Sequence, residues 1–401
     1  MISASKIKLN KDFNLYLILI YIFWIISIFS YFFLDSYINA GSLENGVKLG
    51  NDSYFYLRES KNILNGESSF LDYKSKFGYL LFLIPFIYFD LPLISVVFFN
   101  LLLTSISGWC LYKITIKYFC KLAGLICVTL FFFYFPLQIR NFYILTEILF
   151  IDLSLILTFF IVFFKKQYIP FVILLIIALV SIRPNGILFI FSLIFCILYF
   201  LIEYKKKVFL KLFLIALLIS ALPVYHLINE YFENLNLIES LNKGIIWGWS
   251  FENNKICEAS CLSSELINNN YQNTLLGYLK FVIVNFQEYF KIFFLKIFWL
   301  IARVRPYYSD LHNYYIIFFN LIFYSGFIYG FLKRPKNNFS IYFIIFFILL
   351  SMILVGLTFA DWSGRFSLYF LPFIMIFSSY GILIFIKKIL NMINQKRNNT
   401  F

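Results

Sequence analysis

FGYLLFLIPFIYFDLP, at residues 77–92, is apolar enough to enter a membrane and too short to cross one. A helix from Phe77 to Phe89 covers only about 20 Å before Asp90 and Pro92 end it, against a hydrocarbon core of about 30 Å. It is expected to be re-entrant or interfacial. That assignment decides on which side of the membrane every later loop falls.

Around it lie longer hydrophobic runs, near residues 13–34, 92–112, 122–138, 144–164, 168–182, 186–203, 208–226, 313–332, 340–359 and 366–386. Most are long enough to cross as helices, which gives an expectation of about ten spans. Composition agrees: 62% of the chain is hydrophobic, 23% aromatic and only 13% charged, with a mean hydropathy of +0.83, so this is an integral membrane protein. The expected fold is all-α and polytopic, a single membrane domain of about ten transmembrane helices with re-entrant and interfacial helices on the outer face.

Lys and Arg accumulate in cytoplasmic loops. Lys6, Lys8 and Lys11 put the N-terminus inside, joined by Lys113, Lys117, Lys121, Lys165, Lys166, Lys205, Lys206, Lys207, Lys211, Lys333, Arg334 and Lys336, and at the C-terminus by Lys387, Lys388, Lys396 and Arg397. All of these share one side only if Phe77–Phe89 does not cross. Asp12 and Glu203 are the acids on that side; the others lie outside or within the membrane. The net charge of +14 is therefore a topology signal, with a leaning toward anionic lipid and no case for nucleic acid. The first apolar run is span-length and lacks a small-residue cleavage site, so it is expected to be a retained anchor. Few Arg with abundant Phe, Ile and Asn suggest an AT-rich genome and a bacterial inner membrane.

Most non-membrane sequence falls on the outer face, in residues 35–76 and 227–302. The second of these contains KGIIWGWSFENN (243–254), with Trp247 and Trp249, and leads into residues 281–302, whose mix of Lys, Gln, Glu and aromatics suits a helix lying along the membrane surface. Cys257 and Cys261 share this loop, either as a local disulfide or as two free thiols. No metal-ligand spacing is present, and His226 and His312 stand alone near the outer boundary.

Eight of the 34 basic residues are Arg, and six of those face outward: Arg58, Arg140, Arg183, Arg303, Arg305 and Arg365. Guanidinium forks bind phosphate in a bidentate way that ammonium cannot, so such a group suits a phosphate or pyrophosphate headgroup; pairing with outer acids is the competing explanation. In GVKLGNDSYFYLRESKNILNG (46–66), Asn51 or Asp52 can cap a helix that carries Tyr56, Ser60 and Ile63 on one face and stops at Gly66. Asp52 is then either a cap or a catalytic base. Glu147, in RNFYILTEILF (140–150), lies at the outer end of a span, where an ionisable group points to function. Together the two acids supply one group to deprotonate an acceptor hydroxyl and one to orient it or to hold a cation. A divalent metal with oxygen ligands is conceivable, though no spacing demands one. Asp152, deeper in the same span, fits a pairing role within the bundle.

In order, NDSYFYLRESKNILNG (51–66), KSKFGYLLFLIPF (74–86), LTEILF (145–150), SIRPNGILF (181–189) and DWSGRFSLYFLPF (361–373) resemble the GT-C superfamily of membrane glycosyltransferases that use polyprenyl-phosphate-linked sugars. The closest likeness is to bacterial relatives of the protein O-mannosyltransferases and the aminoarabinose transferases. Phe77 stands where relatives commonly have proline, and no acid or histidine there matches the metal ligands of some members. The resemblance implies inverting transfer of a sugar from the carrier phosphate to a saccharide, lipid or protein hydroxyl on the outer face. Asp52 would be the base, Arg365 and Arg183 the phosphate contacts and Arg303 and Arg305 helpers. Tyr54, Trp247 and Trp249 can stack on sugar faces, as interfacial aromatic belts also would. A flippase for lipid-linked saccharides and a non-catalytic partner in a surface-polysaccharide system are the two rivals.

Overall fold

A computed structural model describes residues 12–38, 47–69, 76–204, 208, 274–306, 308–335, 338–358 and 364–398. Trp247, Trp249, His226 and the Cys257/Cys261 pair lie outside the described residues. Within them every regular element is helical apart from one isolated β-bridge. The helices are α1 (Asp12–Ile38), α2 (Asn51–Leu64), α3 (Phe77–Tyr88), α4 (Ile94–Tyr118), α5 (Lys121–Phe133), α6 (Phe135–Gln138), α7 (Thr146–Val162), α8 (Ile169–Ile182), α9 (Ile187–Glu203), α10 (Leu275–Val284), α11 (Phe286–Ala302), α12 (Asp310–Leu332), α13 (Phe339–Leu357) and α14 (Leu371–Asn398).

Six described helices are long and apolar enough to cross a membrane: residues 13–32, 94–118, 184–203, 310–332, 339–357 and 371–395. A seventh is available if the bent pair Lys121–Phe133 and Phe135–Phe142 counts as one span. Among the described residues the expected number of about ten is therefore not reached, for identifiable reasons. The 144–164 run makes a helix of 17 residues and the 168–182 run one of 14, while 208–226 lies outside the described residues. The 122–138 run is broken by 60° at extended Tyr134, because Pro136 cannot supply the N–H that a continuous helix needs there. The short helix read at residues 77–89 is present as α3, of 12 residues.

The chain divides into two units. The first comprises residues 1–190, 322–340 and 371–401; in it α4 packs against α5 and α7, α5 against α14, α7 against α8, and α3 against α2 and α8. One face of α4 explains much of this. Asn100, Thr104, Ser107 and Thr115 recur at helical spacing with Leu111 among them and are all buried, so this stripe is mostly small and polar. Its partners form a continuous chain of hydrogen bonds. Trp24 Nε1 donates to Gln138 Oε1 at 2.9 Å, Asn141 Nδ2 donates to Gln138 O at 3.1 Å, and Asn100 Nδ2 donates to Asn141 O at 3.3 Å. Thr104 Oγ1 lies 2.8 Å from Asn141 Oδ1 and 2.9 Å from Asp152 Oδ2. Asp152 is thus a bonded member of the bundle, as expected. Where α12 crosses α14, a Cβ added at Gly330 would lie 2.0 Å from Phe377 O, a backbone approach that only glycine permits.

The second unit comprises residues 191–321 and 341–370. Residues 281–302 do not form one helix: α10 ends and α11 begins at buried Asn285, whose Nδ2 and N–H both return to Phe281 O. Tyr289, Ile292, Lys296 and Leu300 are buried along one side of α11, while Phe286, Phe290, Phe294 and Phe298 are exposed along another. Tyr278 Oη donates to Leu357 O at 2.8 Å and Lys296 Nζ to Thr358 O, so a hydroxyl and an amine serve the open carbonyls at the end of α13.

Candidate functional site

The two carboxylates are placed by one backbone contact. Val47 and Lys48 run extended beside Tyr143: Lys48 N–H donates to Phe142 O at 2.8 Å, and Lys48 and Tyr143 form a parallel β-bridge. Each segment then turns into a helix. Gly50, extended at φ −114°, is the cap of α2 in place of the expected Asn51 or Asp52; its N–H donates to Ser53 Oγ at 3.1 Å. Asp52 falls in the first turn, where the positive end of the helix dipole favours a carboxylate. Glu147 occupies the same place in α7, after extended Leu145.

Arg183 joins them from the end of α8, where the following Pro184 forces it out of helical geometry. Its Nη1 donates to Thr146 Oγ1 at 2.6 Å and lies 3.3 Å from Glu147 Oε1. The Glu147 side chain is 2% exposed and that of Arg183 18%, so the ion pair is largely out of water while part of the Arg183 side chain is exposed. Tyr56, one turn after Asp52, is the shared neighbour. It is buried, it hydrogen-bonds the Thr146 side chain, and it feels Arg183, Glu147 and Asp52 together. Burial chiefly pushes its hydroxyl up to about 12; Arg183 works the other way, while Glu147 and Asp52 add to the rise.

Of the residues expected at a site, the first unit therefore brings together Asp52, Glu147 and Arg183. Tyr54 and Arg58 share a different face of α2: Tyr54 is exposed, and Arg58 Nε is paired with Glu59 Oε1 at 2.7 Å. Arg140 lies in the 3-10 turn Ile139–Phe142, with its guanidinium over the Tyr143 ring. Lys48, Tyr56 and Thr146 belong to the constellation and have no role in the sequence-based expectation beyond the face assigned to Tyr56. The spacing signal was present: Asp52 and Tyr56 are four apart, as are Tyr54 and Arg58, so helical geometry separates the two pairs.

The second unit holds Arg303, Arg305 and Arg365. Arg303 closes α11 in the left-handed region at φ 60°, and Arg305 is 1% exposed, its Nη1 donating to Val304 O at 2.8 Å and Trp299 O at 3.1 Å. Asn313 fixes the Arg305 backbone through both its N–H and its carbonyl. The open side of Gly364, at φ +70°, faces Arg303 Nε and Arg305 Nη2, and Arg365 follows it. Nearby in sequence, His312 stacks on Tyr308 with ring centroids 4.3 Å apart.

Among the described residues no group of three or more His, Cys, Asp and Glu is arranged to hold a metal. Asp52 and Glu147 alone make a thin donor set for a metal ion, and Glu147 is already engaged by Arg183. No known family model and no curated protein matches the chain.

Proposed function

We propose that this protein is an inverting glycosyltransferase that moves a sugar from a polyprenyl-phosphate carrier to a hydroxyl acceptor on the outer face of a bacterial inner membrane. The observation that carries the reading is the gathering of Asp52, Glu147 and Arg183 around Tyr56, at the starts of two helices tied by one β-bridge. Two acids with distinct surroundings and one partly exposed arginine are the minimum that such a transfer needs. In the proposed topology both termini are cytoplasmic, α3 is re-entrant, α11 lies at the interface with its phenylalanines toward lipid, and α7, α8 and residues 208–226 bring the spans to about ten.

In the proposed reaction the Asp52 carboxylate takes the proton of the acceptor hydroxyl. The acceptor oxygen forms a bond to the anomeric carbon from the face opposite the phosphate, the bond from that carbon to the phosphate oxygen breaks, and polyprenyl phosphate leaves with the electron pair. Glu147 holds Arg183 in place, and Arg183 stabilises the charge that develops on the leaving phosphate. Arg303, Arg305 and Arg365 are candidates for further phosphate contacts. The test is transfer from a panel of labelled polyprenyl-phosphate sugars to a mixed cell-surface extract by the purified protein. Product of inverted anomeric configuration supports the reading; a well-folded protein that transfers none of the panel but moves labelled lipid-linked saccharide across vesicles replaces it with the flippase.

A further inference from the structure

Tyr79, in the first turn of α3, is fully buried, and its hydroxyl makes no hydrogen bond within the described residues. Its ring meets Tyr56 edge-on, with centroids 4.9 Å apart, and its hydroxyl lies within the electrostatic reach of Tyr56 and Glu147. The orphaned atom therefore has Tyr56 and Glu147, two members of the constellation, as its polar surroundings. Leaving a buried hydroxyl unbonded is destabilising. Phenylalanine would fill the same space without that cost, and the chain uses phenylalanine freely, at 55 positions.

Burial first, then Tyr56 and Glu147, hold the Tyr79 hydroxyl well above its ordinary pKa, so it keeps its proton and can donate one hydrogen bond. Its neighbours select what it donates to. Among the described residues Glu147 is the carboxylate within its reach and no cation is, so a neutral hydroxyl suits the place better than a phosphate does. The phosphate belongs with Arg183 instead.

We propose that Tyr79 Oη is a binding contact for a hydroxyl of the carrier-linked sugar, a sugar subsite beside the phosphate contact of Arg183. The assignment rests on the glycosyltransferase reading for the identity of the ligand, and on the buried, unbonded hydroxyl for the residue.

The test compares wild type and Tyr79→Phe for thermal stability, for affinity toward bare polyprenyl phosphate, and for affinity toward polyprenyl-phosphate hexoses and pentoses. Tyr79→Phe is expected to unfold at the same or a higher temperature, to bind bare polyprenyl phosphate as wild type does, and to bind the preferred sugar-bearing carrier roughly tenfold more weakly. A lower unfolding temperature would assign the hydroxyl to the fold and overturn the proposal. So would equal affinity of both proteins for every sugar carrier, an equal loss on the bare carrier, or a wild type that does not distinguish sugar-bearing from bare carrier. Weaker sugar binding by Tyr79→Phe with no transfer by either protein would remove the transferase reading and leave the subsite standing. Transfer and binding unchanged by the substitution would do the reverse.

Discussion

Lys48 and Tyr143 pair in a parallel β-bridge, and each stands four residues before a candidate carboxylate, Asp52 in α2 and Glu147 in α7. The first-turn positions of α2 and α7 are thereby held by main chain, independently of any side chain in the constellation. Lys48 is secured further by its Nζ, which donates to Tyr31 Oη of α1 at 2.7 Å. Lys48→Pro removes the N–H that donates to Phe142 O and is expected to reduce sugar transfer by roughly a hundredfold while the helical content stays unchanged, since small misplacements of reacting groups are costly. Transfer rates and circular dichroism on the same preparation check it.

The buried pair of Arg183 and Glu147 makes an asymmetric prediction. Arg183→Ala leaves the Glu147 carboxylate without its fork and is expected to destabilise the protein by about 3 kcal/mol; Arg183→Ala combined with Glu147→Gln recovers much of that. Equilibrium unfolding in mixed detergent measures both. Additive losses would mean that the two side chains do not act as a pair.

Thr104 bridges Asn141 and Asp152 with a single hydroxyl. Thr104→Val is expected to cost about 1 kcal/mol, a small value because unfolded segments in lipid find other partners. Asp152→Asn supplies an amide donor at the same place and is expected to keep wild-type stability in the same unfolding assay.

Tyr56 has a folded pKa raised from 10.0 to about 12, so between those values the unfolded chain releases a proton that the folded chain retains. Stability is therefore unaffected below pH 10 and falls as pH rises from about 10 to 12. Tyr56→Phe is expected to flatten that part of the stability profile.

Much of the fold was legible because lipid imposes length and hydropathy on its helices. The 12-residue limit of α3, the helix that ends at Gly66, and the burial of Tyr56 and Ser60 on one face all follow from spacing and from turn residues. Gly66 sits at φ +75°, with Glu67 N–H donating to Asn62 O at 2.9 Å, as a left-handed helix end requires. The span count was less legible, since a run such as 168–182 makes a helix of the expected extent, Ile169–Ile182, whose 14 residues fall short of a full crossing. At the site, Glu147 and Arg183 were visible as ionisable residues in apolar runs, and Asp52 as an acid in the polar interruption between two apolar blocks. Lys48, Thr146 and Tyr79 were not, because a β-bridge and an orphaned hydroxyl arise from contacts between segments distant in sequence.

The most direct measurement is the rate of sugar transfer by purified Asp52→Asn beside wild type, with carrier affinity and unfolding temperature recorded on the same samples. Wild-type transfer, a loss of at least about a hundredfold in Asp52→Asn, and unchanged folding and carrier binding are the expected result for a base that acts on the acceptor hydroxyl. Equal transfer by the two proteins would contradict it and remove Asp52 from the chemistry.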